Sequence, residues 1–230
     1  GLDTLPDAQN VSTAFDELAS FSAGLSYTNT TQSIGAVDHE SGWRWDLTAA
    51  ADHANGDTFP SVVAGLDFGV PLPVPNSSIW LYTAAGTVGG DETSSLASFY
   101  MGAFGNNYVD DRAVKRYRDY DSFPGFEINE IAARSFVRAV GELNLPPIRF
   151  EEVGVPTIYL SSMRTGLFAG ELYAEPAFGD ARSLQTVGIQ TDWNFTIAHR
   201  LPMVLSLGYA EAFEDGERHG SEVLVSLKIM

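Results

Sequence analysis

The sequence predicts an all-β protein, an antiparallel transmembrane β-barrel of about ten strands, either complete or part of a larger sixteen-strand one. Three observations point there. Apolar residues recur with a period of two, not 3.6. The second face of each alternating segment is rich in Gly, Ser, Thr, Asn and charge. Aromatic residues gather near the segment ends, where amphipathic rings suit a headgroup layer.

Residues 187–197 carry the alternation most clearly. Val187, Ile189, Thr191, Trp193, Phe195 and Ile197 share one face, and Gly188, Gln190, Asp192, Asn194 and Thr196 share the other. A helix would scatter both sets around its axis. Phe21, Ala23, Leu25 and Tyr27 repeat the pattern, as do Trp43, Trp45, Leu47 and Ala49. Met203, Leu205, Leu207 and Tyr209 follow it, and so do Val223, Val225, Leu227 and Ile229. Strands are expected near 20–29, 42–51, 59–70, 78–88, 96–105, 134–145, 157–173, 184–198, 202–212 and 221–230. Several reach the length a tilted strand needs to cross a bilayer. Residues 1–19 carry Val11, Phe15 and Leu18 at helical spacing and are expected to form an arm or short helix. Residues 20–230 form the barrel, or the C-terminal part of one.

A soluble β-sandwich or up-and-down barrel also alternates. There the apolar face points inward. In a transmembrane barrel the polarity is inverted, so Trp193, Phe195, Leu205, Leu207, Val225 and Leu227 are expected to face lipid. Gln190, Asp192 and Ser206 then face the interior. The strand-end aromatics are Tyr27, Trp43, Trp45, Trp80, Tyr82, Tyr100, Tyr159, Tyr173, Trp193 and Tyr209. With the last strand ending on the periplasmic side, 106–133, 174–183 and 213–220 become external loops. His199-Arg200-Leu201-Pro202 becomes a tight periplasmic turn. Ten strands place both termini in the periplasm.

Composition narrows the function. Thirty acidic residues against thirteen basic ones give a net charge of −17. Such a surface repels phosphate backbones, so no nucleic-acid partner is expected. No run of apolar residues is long enough for a transmembrane helix. With no cysteine there is no disulfide framework and no thiolate metal site. His39, His53, His199 and His219 all fall in loops or at strand ends, with no hydrolase, zinc-protease or nucleotide-binding pattern around them. The rim triplet Asp38-His39-Glu40 is a weak catalytic candidate. The acidic pairs Asp110-Asp111 and Asp119/Asp121 are a weak Ca²⁺ candidate, without EF-hand spacing. The chain is therefore not expected to be an enzyme, and no cofactor is expected.

The stretch from Asn106 to Phe150 reads NNYVDDRAVKRYRDYDSFPGFEINEIAARSFVRAVGELNLPPIRF. It resembles the bacterial surface antigen family of outer-membrane barrels, the superfamily that includes BamA, TamA and two-partner secretion transporters. In that family a long external loop with an arginine motif folds back into the lumen, six strands before the end. The next strand ends in an E-x-x-x-P pattern, here Glu142 to Pro146. Thr165-Gly166-Leu167-Phe168-Ala169-Gly170 is similar to the family's F-x-D-x-G strand, with Gly170 in the aspartate's place and Glu171 adjacent. Residues 186–230 resemble its last three strands. The chain departs from the pattern in having no Arg-Gly pair in the loop, so Arg116 or Arg118 stands for the motif arginine. It also ends Lys228-Ile229-Met230 where the family ends in Phe.

The resemblance implies a parent barrel of about sixteen strands. It also implies a role in protein insertion, translocation or membrane-complex architecture, in the bacterial outer membrane. The partners are outer-membrane lipid and, to complete the barrel, other polypeptide chains. A passive porin-like pore and a soluble β-sandwich binding module are the alternatives. Within the loop, the cluster Arg112, Lys115, Arg116 and Arg118 is drawn toward an acidic lumen. Phe123-Pro124-Gly125-Phe126 supplies a rigid turn with apolar anchors. Arg116 or Arg118 is expected to pair with an inward carboxylate, Glu142 first and Asp192 second.

Overall fold

The structure is a computed structural model that describes residues 17–34, 36, 38–107, 114–151, 153–155 and 157–230. The proposed arm at 1–19, except its last three residues, lies outside the described residues. So do Asp110, Asp111 and Arg112.

Nine long strands form one antiparallel wall. They are β1 (Leu18–Thr31), β2 (Ser41–Ala54), β3 (Asp57–Pro71), β4 (Ser78–Val88), β7 (Ser135–Asn144), β10 (Ile158–Glu175), β11 (Arg182–Ile197), β12 (Leu201–Glu214) and β13 (Glu217–Ile229). Their order in the sheet is their order in the sequence. Two further strands, β5 (Phe99–Met101) and β6 (Ile131–Ala133), pair with each other inside the wall's concave side. Two short pieces, β8 (Ile148–Arg149) and β9 (Gly154–Val155), pair with β10 where β7 has ended. The all-β antiparallel expectation therefore holds, but among the described residues no pairing joins β1 to β13, so the sheet does not close.

The alternation sorts the side chains onto two faces. On the convex face Leu25, Leu66, Phe68, Val137, Val187, Val223 and Val225 stand exposed. On the concave face Trp80, Phe136, Arg138, Glu142, Phe168, Leu172, Gln190, Asp192 and Ser206 are buried. A sheet with its bulky aliphatics on the open side is the reverse of a soluble half-buried sheet. Two-residue turns, Asn55-Gly56 and Asp215-Gly216, join β2 to β3 and β12 to β13, with both residues in left-handed conformations.

Five expectations need correction. Residues 96–105 are not a wall strand, because Leu96, Ala97, Phe99, Tyr100, Met101 and Phe104 are apolar on both faces. A strand of this wall carries a polar or small-residue set on its concave face, and this segment instead packs inward as a 3-10 turn and β5. The connection between β4 and β7 therefore spans 89–134 rather than 106–133. Its place before the fifth-from-last wall strand is unchanged. The loop rhythm also differs: the expected 213–220 loop is a two-residue hairpin, and the opposite rim carries the longer connections 32–40 and 145–157. Nine wall strands rather than ten also separate the two ends that were expected on one side: β1 and β13 run in the same direction, so the start of β1 and the end of β13 lie at opposite rims. Of the strand-end aromatics, Trp80 and Tyr82 face inward and Tyr100 lies in the inserted connection, so these three do not reach the outer surface.

Candidate functional site: a plugged concave face

The 89–134 connection enters from the rim where β4 ends and fills much of the concavity. Phe99, Met101, Phe123, Phe126, Ile131 and Ala133 pack on Phe136, Leu172, Leu184 and Ala212 of the wall. Deeper in, Phe104 and Tyr117 pack on Trp80, Val140, Phe168 and Ala210. The Tyr117 ring stacks on Phe168 at 4.3 Å, and Phe104 meets the same ring edge-on at 5.8 Å. Burying this aromatic area contributes several kcal/mol and selects one seat for the segment.

At the bottom of the plug sits an ionic lock. Lys115 precedes a 3-10 turn, Arg116–Arg118, that places Lys115 and Arg118 on the same side. Glu142 on β7 is 1% exposed. Its Oε1 accepts from Lys115 Nζ at 2.6 Å and from Arg118 Nη2 at 2.7 Å, and its Oε2 accepts from Arg118 Nε at 2.8 Å. The Arg118–Glu142 contact is thus the bidentate fork that fixes orientation as well as charge. Asp38, in the connection between β1 and β2, accepts from Arg118 Nη2 at 2.7 Å and lies 3.6 Å from Lys115 Nζ. Two cations therefore meet two carboxylates, which is the condition for such charges to be buried. The Arg118 guanidinium also lies 5.2 Å from the Tyr82 ring centroid. Lys115 Nζ donates to Asn144 Oδ1 as well.

The remaining sequence candidates fall into other roles. Arg116 Nη2 donates to the carbonyls of Gly105 and Asn107, so it braces the plug internally. Asp192 does not meet Arg118. Its Oδ1 accepts from Gln190 Nε2 and Ser206 Oγ, both at 2.7 Å. Gln190 Nε2 also donates to Val114 O at 2.8 Å, so Asp192 orients the amide that holds the plug's lower end. Phe123 is fully buried, and Pro124 O accepts from Thr186 Oγ1 at 2.7 Å. Gly125 has φ +95°, and a Cβ there would lie 2.8 Å from the Ala212 backbone nitrogen. Gly125→Val should therefore lift the plug off β12, increasing protease cutting within 89–134 severalfold. Unchanged cutting would show that the contact does not hold the plug.

Sequence reasoning missed a second anchor near the entrance rim. Glu222 on β13 accepts the backbone N–H groups of Phe104 at 3.1 Å and Gly125 at 3.0 Å. His219 stacks on Phe126 at 4.4 Å and sits 2.6 Å from Glu130. The inward parity of Glu222 opposite an acid-rich chain was the available signal, but its partners are backbone groups that leave no trace in a sequence. Arg138, 1% exposed, donates to Tyr117 O.

The weak alternatives find no support from geometry. Asp38 belongs to the lock. His39 Nδ1 lies 3.3 Å from Thr30 Oγ1, and its carbonyl accepts from Trp80 Nε1. Glu40 Oε2 accepts the Ser33 amide. Among the described residues no group of three or more His, Asp or Glu side chains is arranged to hold a metal ion.

The six residues expected to face lipid all lie on the convex face. Leu207, Val225 and Leu227 are exposed. Trp193, Phe195 and Leu205 are half-buried, with Trp193 stacked on Phe150 of the 145–157 connection. No family model, curated protein or solved structure matches the chain.

The lock also sets a pH response. Burial would raise the Asp38 carboxyl, but Arg118 and Lys115 overcome it and hold Asp38 well below the usual carboxylate range. A depressed folded value contributes stability that is present above the unfolded value of about 3.9 and lost as pH falls through the folded one. Protection of the 115–118 amides, taken relative to the intrinsic exchange rate at each pH, should therefore stay constant from pH 8 to about 5 and fall only below about 4. A loss of that protection between pH 8 and 6 would contradict this.

Proposed function

We propose that this chain is a plugged transmembrane β-barrel, or a large part of one, in the bacterial outer membrane. We propose for it the assembly and translocation role of surface-antigen-type barrels. One observation carries the reading: the convex face is apolar and exposed across the wall, while the concave face is polar and charged and much of it is filled. In water, Phe21 at 74%, Val223 at 70% and Val225 at 68% exposure would form part of an apolar surface well beyond a soluble protein's usual patches. In lipid the same surface is the solvent-matched one. The lumenal segment pinned by an arginine to a carboxylate supports the surface-antigen resemblance, because it sits before the fifth-from-last wall strand. Detergent phase separation tests the membrane part. The folded protein should partition with detergent, and recovery in the aqueous phase would overturn it. Co-purification with outer-membrane assembly or secretion partners, lost on deleting 89–134, tests the role.

A passive pore is the second reading, and one observation favours it. The plug leaves the concave side of β1 and part of that of β2 uncovered, and a cavity of about 470 Å³ beside it is lined by Arg44, Asp46, Asp67, Tyr82 and Arg118. Steady conductance in planar bilayers without any partner would favour the pore over the assembly role.

A further inference from the structure

One layer of side chains separates two spaces on the concave side. The paired strands β4 and β7 mark its depth. From the entrance rim downward, their concave pairs are Ala84 with Arg138, Tyr82 with Val140, Trp80 with Glu142 and Ser78 with Asn144. Ala84, Tyr82 and Arg138 border the cavity of about 470 Å³. Ser78 and Asn144 border a second pocket at the opposite rim, of about 20 Å³. The first is wide enough for hydrated ions, whereas the second has room for about one water molecule. Between the two lies the level of Trp80 and Glu142.

Two residues of the connection between β1 and β2 close that level. Trp80 Nε1 donates to His39 O at 2.9 Å, and Arg118 Nη2 donates to Asp38 Oδ2 at 2.7 Å. In the sheet, β3 lies between β2 and β4, and β7 lies beyond β4. A connection that touches Trp80 on β4, and reaches through Arg118 the carboxylate of Glu142 on β7, therefore spans part of the concavity below the plug. Asp38 and His39 also line the small pocket, together with Lys115.

The two carboxylates of the lock are unequal. Glu142 stands on the wall with its side chain 0% exposed, and accepts three hydrogen bonds from Lys115 and Arg118. Asp38 stands on a connection with its side chain 25% exposed, and accepts one from Arg118. Water can replace the Asp38 contact at modest cost, while the buried fork on Glu142 stays made. The Asp38 contact can thus break with the plug still in its seat.

We propose that Asp38 and His39 form a gate, separate from the plug, that controls passage of small hydrated ions between the concave cavity and the opposite rim. The proposal rests on the plugged-barrel reading above. In the closed state Asp38 holds Arg118 and His39 holds Trp80. In the open state both contacts are broken, while Arg118 remains on Glu142 and the aromatic packing of Phe104 and Tyr117 is unchanged. Ions of both signs pass, because the cavity wall carries Arg44 and Arg138 as well as Asp46 and Asp67.

The test compares the parent chain with Asp38→Ala and Trp80→Phe, each refolded into planar lipid bilayers in potassium chloride. The first variant removes the partner of Arg118, and the second removes the donor to His39. Each should raise the mean conductance severalfold over the parent. Hydrogen exchange of the same proteins in lipid vesicles should leave the β5 and β6 amides as protected as in the parent, because the plug stays seated. Unchanged conductance in either variant would overturn the proposal. So would a rise accompanied by lost protection of β5 and β6, since the plug itself would then have moved. Both results can be obtained with protein that partitions with detergent, so they leave the membrane reading standing. Recovery in the aqueous phase would overturn that reading and the gate with it.

Discussion

Replacing Glu142 with Ala should cost about 3–5 kcal/mol and free the plug, the largest single-residue effect expected in this chain. The reason is the imbalance left behind. Lys115 and Arg118 would remain at the bottom of the concavity with Asp38 alone, after losing three contacts of 2.6–2.8 Å. Arg118→Ala removes the other half of the fork and should cost a similar amount, because it leaves Glu142, 1% exposed, with Lys115 only. The double variant should lose less than the sum of the two, since neither charge is then stranded. Thermal unfolding in detergent reads this as a fall of roughly ten degrees for each single variant. Arg116→Ala is the comparison: Arg116 lies outside the Glu142 fork and donates to the Gly105 and Asn107 carbonyls, and a smaller fall is expected. Equal and small effects for Arg116→Ala, Arg118→Ala and Glu142→Ala would mean that the ionic lock does not hold the plug.

The second large effect separates lipid from water at two adjacent residues. Leu25 and Ser26 are both exposed near the middle of β1, pointing to opposite faces, and they pair with Leu47 and Asp46 of β2. In water, an arginine at either position would be tolerated. In a bilayer, Leu25→Arg places a cation at hydrocarbon depth and should cost about 2–4 kcal/mol. Ser26→Arg stays in the aqueous lumen opposite Asp46 and should be close to neutral. Chemical denaturation of the protein refolded into lipid vesicles gives both numbers. Equal tolerance of the two arginines would place both faces in the same solvent.

Much of this architecture was legible in the sequence, for a physical reason. A period-two pattern names a face residue by residue, so the parity of Gln190, Asp192, Ser206, Leu207 and Val225 is the parity observed. The Glu142–Arg118 contact could be reached because only a few inward carboxylates and loop arginines were available to pair. What escaped is set by tertiary packing. Residues 96–105 have strand-like composition, but their fate depended on whether an apolar segment was needed inside the plug. Lys115 and Asp38 joined the lock through a 3-10 turn and a distant connection that no periodicity encodes. Glu222 holds backbone amides, which every residue carries alike. Closure was inferred from the needs of a membrane rather than read from any residue, and among the described residues the two edges of the nine-strand wall are unjoined.

The central claim is that the convex face meets lipid and the concave face does not. Nitroxide labels on single introduced cysteines test it directly, since the chain has no thiol of its own. Labels at Leu207, Val225 and Leu227 are compared with labels at Ser22, Ser26 and Thr28, in vesicles, by collision with oxygen and with a water-soluble nickel complex. The first set should be reached mainly by oxygen and the second mainly by nickel. The same accessibility to the nickel complex at both sets would contradict the membrane account.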